Sequence, residues 1–304
     1  MNEGFVTIAE GLFIPEGPVA LADGSVLIVE VGGGLVHRIA ANGTRSVLAD
    51  LGGGPNGAAI GPDGALYVCN NGGGYACEFI DGNLRIELDP ASYVGGSIQR
   101  VDLTTGTVTT LYDSYDGARL LAPNDIVFDP HGGFWFTDHG RSEIERKTYG
   151  SLYYAHIDRS LIRRARASLL SPNGIGLSPD GSWLYWTDTL TGRLWKAAIV
   201  APGQLAEPRG MPGEVVKTLP GYQMLDSLAV EQDGRICVGT IVNGGITIFD
   251  PTGTSEHLPI DDWMVTNICF GGADGRDVWI TAAATGRLLK GRWPRPGLPL
   301  AFGA

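Results

Sequence analysis

Six side chains that can offer oxygen to a ligand recur at one register of a repeated pattern. They are two carboxylates and four amides, namely Glu16, Asn56, Asn124, Asn173, Asp226 and Asn267. In every copy a glycine follows eight positions later, and five of the six copies form that turn with Asp-Gly. An oxygen-only set with two negative charges suits a hard divalent cation. The pattern therefore predicts a metal site, with Ca²⁺ as the expected ion and Mn²⁺, Mg²⁺ or Zn²⁺ as alternatives.

A second interpretation of these positions is that they only form turns. Asn and Asp next to Gly or after Pro commonly bond to local backbone, so any one of the six could have that role. Glu16 is not a typical turn residue, and all six copies share one register. The shared register favours a metal site at Glu16, Asn124, Asn173 and Asp226, whereas Asn56 and Asn267 suit a metal site or a turn equally well.

The repeats predict the fold that brings these positions together. After each turn comes a second apolar run, and a third run opens at a glycine; the runs are short and rich in β-branched and aromatic residues. Six units of about 50 residues are typical of a propeller. We therefore predict an all-β, six-bladed β-propeller with four-stranded antiparallel blades, forming one domain over residues 1–304. The alternating segment 4–13 is expected to add a strand that closes the last blade.

Two insertions are expected to lie above the six polar positions. From the turn glycine to the third-run glycine the distance is 32 residues in blade two and 18 in blade three, against ten or eleven elsewhere. The connection after a second strand lies on the face where the first strand starts, so segments 70–95 and 139–149 should wall a pocket. Asp138, His139 and Arg141 are candidate substrate contacts there. A surface imidazole and a solvated loop charge are the alternatives for His139 and Arg141.

Composition limits the classes of partner. The net charge of -11 argues against nucleic acid and anionic membranes as partners. No apolar stretch reaches the length of a membrane span, and the first residues lack the features of a secretion signal. The four cysteines show no zinc-ligand spacing, which favours reduced thiols. These observations predict a cytoplasmic protein with a small-molecule substrate, and a closed ring favours a monomer or weak dimer.

Short motifs in a fixed order resemble a known family. They are Pro15-Glu16-Gly17-Pro18, Pro123-Asn124-Asp125, Pro172-Asn173-Gly174 and Asp226-Ser227-Leu228. Together they resemble the calcium-dependent six-bladed propellers that include gluconolactonase, regucalcin and luciferin-regenerating enzyme. The resemblance implies that Glu16, Asn173 and Asp226 are metal ligands, that Asn124 is a fourth ligand or a substrate contact, and that Asp226 is a general base or nucleophile. Ala122 stands where some members carry an Arg that contacts sugar lactones.

The resulting hypothesis is a divalent-metal-dependent hydrolase that opens a small lactone, with Asp226 as base or nucleophile. Asn56, Asn124 and Asn267 would contribute substrate contacts. The same centre could act on a phosphotriester or another ester, because a fold does not fix its substrate. A non-catalytic propeller that binds calcium or a protein partner is a different class of function. The long segments on the metal side favour a walled small-molecule pocket over a flat docking face.

Overall fold

A computed structural model describes residues 4–80, 83–88, 90–207 and 210–303. These residues contain 29 strands and no helix. In chain order the strands are β1 (Phe5–Ala9), β2 (Pro15–Ala20), β3 (Val26–Glu30), β4 (Leu35–Ile39), β5 (Arg45–Asp50), β6 (Pro55–Ile60), β7 (Leu66–Asn70), β8 (Tyr75–Ile80), β9 (Asn83–Leu88), β10 (Ser97–Val101), β11 (Val108–Tyr112), β12 (Ser114–Tyr115), β13 (Ala118–Arg119), β14 (Pro123–Phe128), β15 (Gly133–Asp138), β16 (Gly150–His156), β17 (Ile162–Leu169), β18 (Pro172–Leu177), β19 (Trp183–Asp188), β20 (Arg193–Ala201), β21 (Gln204–Leu205), β22 (Glu214–Thr218), β23 (Met224–Val230), β24 (Ile236–Ile241), β25 (Gly245–Phe249), β26 (Ser255–Pro259), β27 (Val265–Gly271), β28 (Asp277–Ala282) and β29 (Arg287–Arg292).

The strands form six antiparallel blades, as the sequence predicted. From the inner to the outer strand the blades are β2-β3-β4-β5, β6-β7-β10-β11, β14-β15-β16-β17, β18-β19-β20-β22, β23-β24-β25-β26 and β27-β28-β29-β1. Each inner strand contacts the inner strand of the next blade, and β27 contacts β2, which closes the ring. The short β21 adds a fifth strand to the fourth sheet.

Among the described residues the hydrophobic core forms separate clusters that lie between neighbouring blades. Strand β15 shows why its sequence is apolar at successive positions: Phe134 and Phe136 pack against blade two, while Trp135 packs against blade four. Neighbouring residues of a strand point to opposite faces, and here both faces are buried. The apolar runs in the repeats are therefore the interfaces that hold the ring together.

The N-terminal strand closes the ring, as predicted. β1 pairs with β29, placing Phe5 opposite Gly291. A Cβ built on Gly291 would lie 2.4 Å from the Phe5 ring, so glycine provides the space for that ring. The first strand of the chain thereby covers the edge that the last blade would otherwise expose.

The ring has two distinct faces. On the turn face lie the turns between the first and second strands, including the Asp-Gly turns; on the loop face the inner strands begin and both insertions emerge. The blade-two insertion contains the hairpin β8–β9, which we call the lid hairpin, with Tyr75 opposite Leu88. Cys77 lies in β8. Residues 81, 82 and 89 of this insertion lie outside the described residues.

A buried carboxylate fastens the C-terminal segment to the turn face. Glu231 accepts hydrogen bonds from Trp293 Nε1 (2.7 Å) and from Arg295 Nη2 (3.0 Å), and Arg295 Nε also donates to it. Burial opposes ionisation of Glu231, but the bonds from Arg295, Trp293 and Cys237 outweigh it and lower the pKa of Glu231. Beyond this anchor the segment crosses the face, and the Phe302 ring packs edge-on against Phe128 at 5.9 Å.

We expect Glu231→Gln to destabilise the fold by about 2–4 kcal/mol at pH 7, because Arg295 loses its charged partner. The native pKa of Glu231 lies below its ordinary value of 4.5, so its contribution is present above pH 4.5 and is lost as the pH falls through the native pKa. Urea unfolding at pH 7 and pH 3 measures this. The difference between wild type and variant should shrink at pH 3.

Glu256→Gln is the matched control, because Glu256 contacts the same arginine at 3.4 Å from a solvent-exposed position. An exposed ion pair contributes about 0–1 kcal/mol, so this variant should unfold almost as wild type does. Equal unfolding free energies for the two variants at pH 7 would contradict the anchoring role of Glu231.

Candidate metal centre

The six polar positions of the repeat meet at the axis of the ring. Each is the second or third residue of an inner strand, and each is buried, with 2–9% of its surface exposed. Because the inner strands contact one another around a closed ring, their starts lie close together. The structure thus gathers two carboxylates and four amides at the loop-face end of the central channel.

A β-bulge at the start of each inner strand re-aims these side chains. In every blade the register between the first and second strands shifts at or beside the polar residue, for example between Glu16 and Val19 and between Pro123 and Ile126. Bulges break regular pairing and commonly redirect a side chain near functional sites. The sequence analysis missed them, although glycine directly after the polar residue in three copies was an available signal.

Those glycines are required by close approach of neighbouring inner strands. A Cβ on Gly17 would lie 2.3 Å from the backbone oxygen of Asn56, and one on Gly174 would lie 2.7 Å from that of Asp226. Gly17 also has φ of +50°, which most residues avoid. The absence of side chains here lets adjacent blades bring their polar residues together.

Hydroxyl groups of second strands connect each blade to the next polar residue. Thr137 donates to the backbone oxygen of Asn173 (2.6 Å), and Thr187 donates to that of Asp226 (2.7 Å). Both hydroxyls are fully buried. These bonds fix the backbone on which the candidate ligands stand, so the ring of oxygens is held by two blades at a time.

Two buried carboxylates dominate the electrostatics of the centre. Glu16 Oε2 accepts from Gly17 N and from Asn267 Nδ2, both at 2.8 Å. Burial, followed by the negative charge of Glu16, raises the pKa of Asp226 well above its usual range, and burial also raises the pKa of Glu16. Two such groups are unfavourable as free anions in a buried place. A divalent cation would remove that penalty.

The hydrogen bonding of two amide oxygens shows whether these residues fit a divalent cation. Asn56 Oδ1 and Asn124 Oδ1 are buried, and neither has a hydrogen-bond donor within the described residues. A buried carbonyl oxygen without a partner costs about 1–3 kcal/mol, and oxygen of this kind is what calcium binds. Asn173 is held beside them, with its Nδ2 3.1 Å from Thr189 Oγ1. The residues present fit an oxygen-coordinated cation.

The fit of these residues to a cation depends on their amide oxygens as well as on the two carboxylates. Among the described residues, no group of three or more His, Cys, Asp or Glu side chains is arranged to hold a metal ion. Zinc and other softer metals favour imidazole or thiolate ligands, so the donor set suits calcium, magnesium or manganese better.

Asp125 is a further carboxyl near the centre that the sequence analysis did not single out. Its Oδ1 accepts from Ile126 N at 2.9 Å, and its Oδ2 accepts from Ile175 N at 3.3 Å. Burial and then the charge of Glu16 raise the pKa of Asp125 to about 7. A Cβ on Gly57 would lie 2.4 Å from Asp125 Oδ1, so the absence of a side chain at Gly57 makes room for the Asp125 carboxyl. Its position directly after Asn124 was the available signal.

Asp138 lies at the end of a second strand with its oxygens already bonded. It accepts from the backbone N–H groups of Leu121 and Ala122 at 2.8 Å and of Gly140 at 2.9 Å. Asp188 occupies the same place in blade four and accepts from Ser171 Oγ at 2.6 Å. Asp138 thus fixes the segment that leads into the inner strand carrying Asn124.

His139 and Arg141 belong to the blade-three insertion on the loop face. Lys147 Nζ lies 2.6 Å from His139 O and 3.3 Å from His139 Nδ1. Burial and then the Lys147 charge lower the pKa of His139 to about 3, which keeps its imidazole neutral. The Arg141 guanidinium lies 4.0 Å from the centre of the Tyr93 ring. This contact joins the two insertions.

The lid hairpin reaches across the loop face to the centre. Burial, and then the negative charge of Asp226, raise the pKa of Tyr75 to about 12, while a hydrogen bond with Ser142 lowers it. Tyr75 therefore lies within electrostatic range of the Asp226 carboxylate and bonds to the blade-three insertion. The segments predicted to overhang the polar positions do so through these contacts.

A large cavity opens on the turn face, on the other side of the polar ring from the two insertions. It has a volume of about 940 Å³ and is lined chiefly by apolar inner-strand residues and by the C-terminal segment. It reaches the polar ring through Asp125 and Asn267. Since the insertions, Asp226 and Tyr75 meet on the opposite side, we assign the candidate reaction site to the loop face.

Comparison with known proteins gives a consistent result. The profile of the SMP-30/Gluconolactonase/LRE-like region matches residues 14–284. The chain is 27% identical over 246 residues to a gluconolactonase of Zymomonas mobilis, covering 76% of this chain and 61% of the relative. It is 25% identical over 233 residues to the lactonase drp35 of Staphylococcus saprophyticus, covering 76% of this chain and 64% of the relative.

The chain also resembles the crystal structure of regucalcin, a calcium-binding protein from Agrobacterium tumefaciens. The TM-score is 0.73, with 19% identity, 98% of this chain and 97% of that chain covered. This likeness shows the fold alone. The matches to the gluconolactonase and the lactonase span just over three fifths of the length of those relatives. Within the described ranges, no helix is long and apolar enough to cross a membrane.

We expect calcium to stabilise the wild type and to leave the variant Glu16→Gln/Asp226→Asn unaffected. At 100-fold excess over the dissociation constant a ligand adds about 2.7 kcal/mol, or about 5 °C in melting temperature for a chain of this size. Melting in calcium and in chelator measures this. In chelator the variant should be at least as stable as wild type, because it lacks the buried negative charges.

Asp116→Asn is the control, because Asp116 is exposed and has φ of +51°, a conformation that Asn tolerates. It should show the full calcium response. An equal response in the double variant would exclude Glu16 and Asp226 as ligands.

Proposed function

The chain belongs to the SMP-30/gluconolactonase/LRE-like family, and from this membership we propose that it hydrolyses a small lactone at the loop-face end of its channel. The observation that carries the proposal is the joint burial of Glu16 and Asp226 beside two amide oxygens that lack donors within the described residues. Relatives named gluconolactonase and lactonase support the reaction class. The product would be a hydroxy acid, formed as water adds to the carbonyl carbon and the ring C–O bond breaks.

We propose that Glu16, Asn124, Asn173 and Asp226 hold a divalent cation, with calcium first and Mn²⁺, Mg²⁺ and Zn²⁺ as alternatives. The calcium-binding protein regucalcin has the same fold, and the oxygen-only donor set suits a hard ion. When bound, such an ion polarises the ester carbonyl and lowers the pKa of a contacting water.

Asp226 is the proposed proton acceptor. Without an ion, burial and then the Glu16 charge raise the pKa of this carboxyl; a bound cation would lower it, so the role of base requires that substrate binding exclude water from the carboxylate. Its backbone is held by Thr187, so the carboxylate keeps a fixed place at the axis. Direct attack of the Asp226 carboxylate on the carbonyl carbon is the alternative role for the same oxygen.

The other polar residues are proposed to position the lactone. Asn56, Asn124 and Asn267 present amides at the axis, and Asn267 already bonds to Glu16 at 2.8 Å. His139 remains neutral and buried on the loop face, where it can exchange hydrogen bonds without adding charge. Arg141 lies at the junction of the insertions, on the Tyr93 ring. Because the oxygens of Asp138 bond to three amides, its proposed part is to hold the segment before Asn124.

We further propose a cytoplasmic protein that acts on a small molecule as a monomer or weak dimer. All four cysteines fall within the described residues and are free, which suits a reducing compartment. β1 is the outer strand of the last blade, so the two ends of the chain meet within one four-stranded sheet and close the ring. A closed ring favours a monomer or weak dimer.

Asp226→Asn is expected to lower kcat/KM for lactone opening by about 10²–10⁴-fold, because the amide cannot accept the proton. A pH-indicator assay with a set of lactones in calcium measures this. The fold should be retained, since Asn keeps the size of the side chain and lowers the buried charge. Asp116→Asn should turn over at the wild-type rate, and full activity of Asp226→Asn would remove this residue from the mechanism.

A further inference from the structure

The lid hairpin has one apolar and one polar face. Its register places Tyr75 opposite Leu88, Cys77 opposite Ile86 and Phe79 opposite Leu84, so these six side chains share one face. The pairs Ala76–Glu87 and Glu78–Arg85 fall on the other face. A hairpin built in this way lies with its apolar face against a surface and its charged face in solvent.

Contacts show which surface the apolar face covers. Cys77 and Leu84 pack against a cluster of Ile14, Val31 and Ala283, together with Met264, from blades one and six. The Phe79 ring contacts the Phe13 ring edge-on at 5.3 Å. Ile86 and Leu88 share this face yet remain exposed. The lid therefore lies over the loop face with two aliphatic side chains left uncovered beside Tyr75.

The loops that lead into blades five and six also lie on the loop face, and they are longer than the corresponding loop of blade four. Each loop follows an aliphatic residue just after an outer strand, Leu219 or Ile260, whose N–H donates to Gly192 O or to Gly244 O. From that residue to the polar position there are seven steps in blades five and six (219 to 226, 260 to 267), against four from Leu169 to Asn173. The longer loops carry the exposed aromatic residues Tyr222 and Trp263.

Val242 adds a strained apolar neighbour to this rim. It has φ of +86°, a conformation that β-branched residues avoid. The Val242 N–H donates to Trp263 O at 2.8 Å, so a backbone hydrogen bond joins the loops that carry these two exposed side chains. Trp263 in turn precedes Met264, which packs under the lid. The Met264 cluster thus joins the lid to the loop that leads into Asn267.

We infer that the substrate is a lactone bearing a hydrocarbon substituent, and that this substituent lies between the lid hairpin and the rim formed by Val242 and Trp263. The inference rests on the proposed function and specifies its substrate class. Ile86 and Leu88 on the lid and Val242 and Trp263 on the rim are exposed apolar side chains, and Met264, next to Trp263, packs against the same cluster as Cys77 and Leu84 of the lid. Tyr75 shares the lid face of Ile86 and Leu88 and lies within electrostatic range of Asp226. A sugar lactone would place hydroxyl groups against this surface, where they lose hydrogen bonds to water.

A series of γ-lactones with 5-alkyl chains from methyl to heptyl tests the inference, with glucono-1,5-lactone as the sugar comparison. Each methylene buried on the apolar surface should raise kcat/KM about fourfold until the surface is covered. This increase in kcat/KM per methylene, the slope of the series, should fall to at most about twofold in Trp263→Ser and in Ile86→Thr. Val47→Thr is the matched control, because Val47 is 58% exposed on an outer strand of blade one, and its slope should equal that of wild type.

A flat dependence on chain length in the wild type, a preference for the sugar lactone, or unchanged slopes in Trp263→Ser and Ile86→Thr would overturn the inference. Melting curves establish that the variants fold. If the wild type opens no lactone in calcium, the proposed function fails by itself. In that case binding of the matching 5-alkyl γ-lactams, measured by calorimetry, decides the inference: the dissociation constant should fall about fourfold per methylene, and a flat series would overturn it.

Discussion

Concentration of negative charge on the ring axis is the constraint on which the other features depend. Glu16 and Asp226 come from different blades and are both buried, and Asp125 adds a third carboxyl near them. Such groups lose most of their hydration and repel one another, so the fold must offset a cost of several kcal/mol. Bonds from Asn267 and Gly17 to Glu16 offset part of it. The rest is what an oxygen-coordinated cation would supply.

The ring tolerates this cost because its stability comes from elsewhere. Apolar clusters between the blades form the core, and within the described residues none of them includes a member of the polar ring. Thr137 and Thr187 hold the backbone of two candidate ligands, Asn173 and Asp226, from the neighbouring blade. A site fixed in this way by rigid elements loses little order when a ligand binds, which favours both affinity and a constant reaction geometry.

The two faces of the ring carry different features: the anchored C-terminal segment lies on the turn face, and the two insertions lie on the loop face. On the turn face the C-terminal segment is fastened by Glu231 and runs across the mouth of the channel. On the loop face the lid hairpin and the blade-three insertion join through Arg141 and Tyr93 and bring Tyr75 into range of Asp226. Substrate selection by loops above a fixed ring would let this architecture change its substrate without disturbing the carboxylates at the axis.

The sequence by itself determined the six blades, the closing N-terminal strand and the register of the polar residues. These features follow from local patterns: apolar runs of strand length, Asp-Gly turns and a constant offset of eight. Only the tertiary structure decided how the side chains are used. Asp138 is engaged by three amides, Asp125 joins the centre, the blade-two insertion is an amphipathic hairpin, and bulges aim the six positions. Each of these depends on which residues from distant parts of the chain become neighbours, and a one-dimensional pattern does not contain that information.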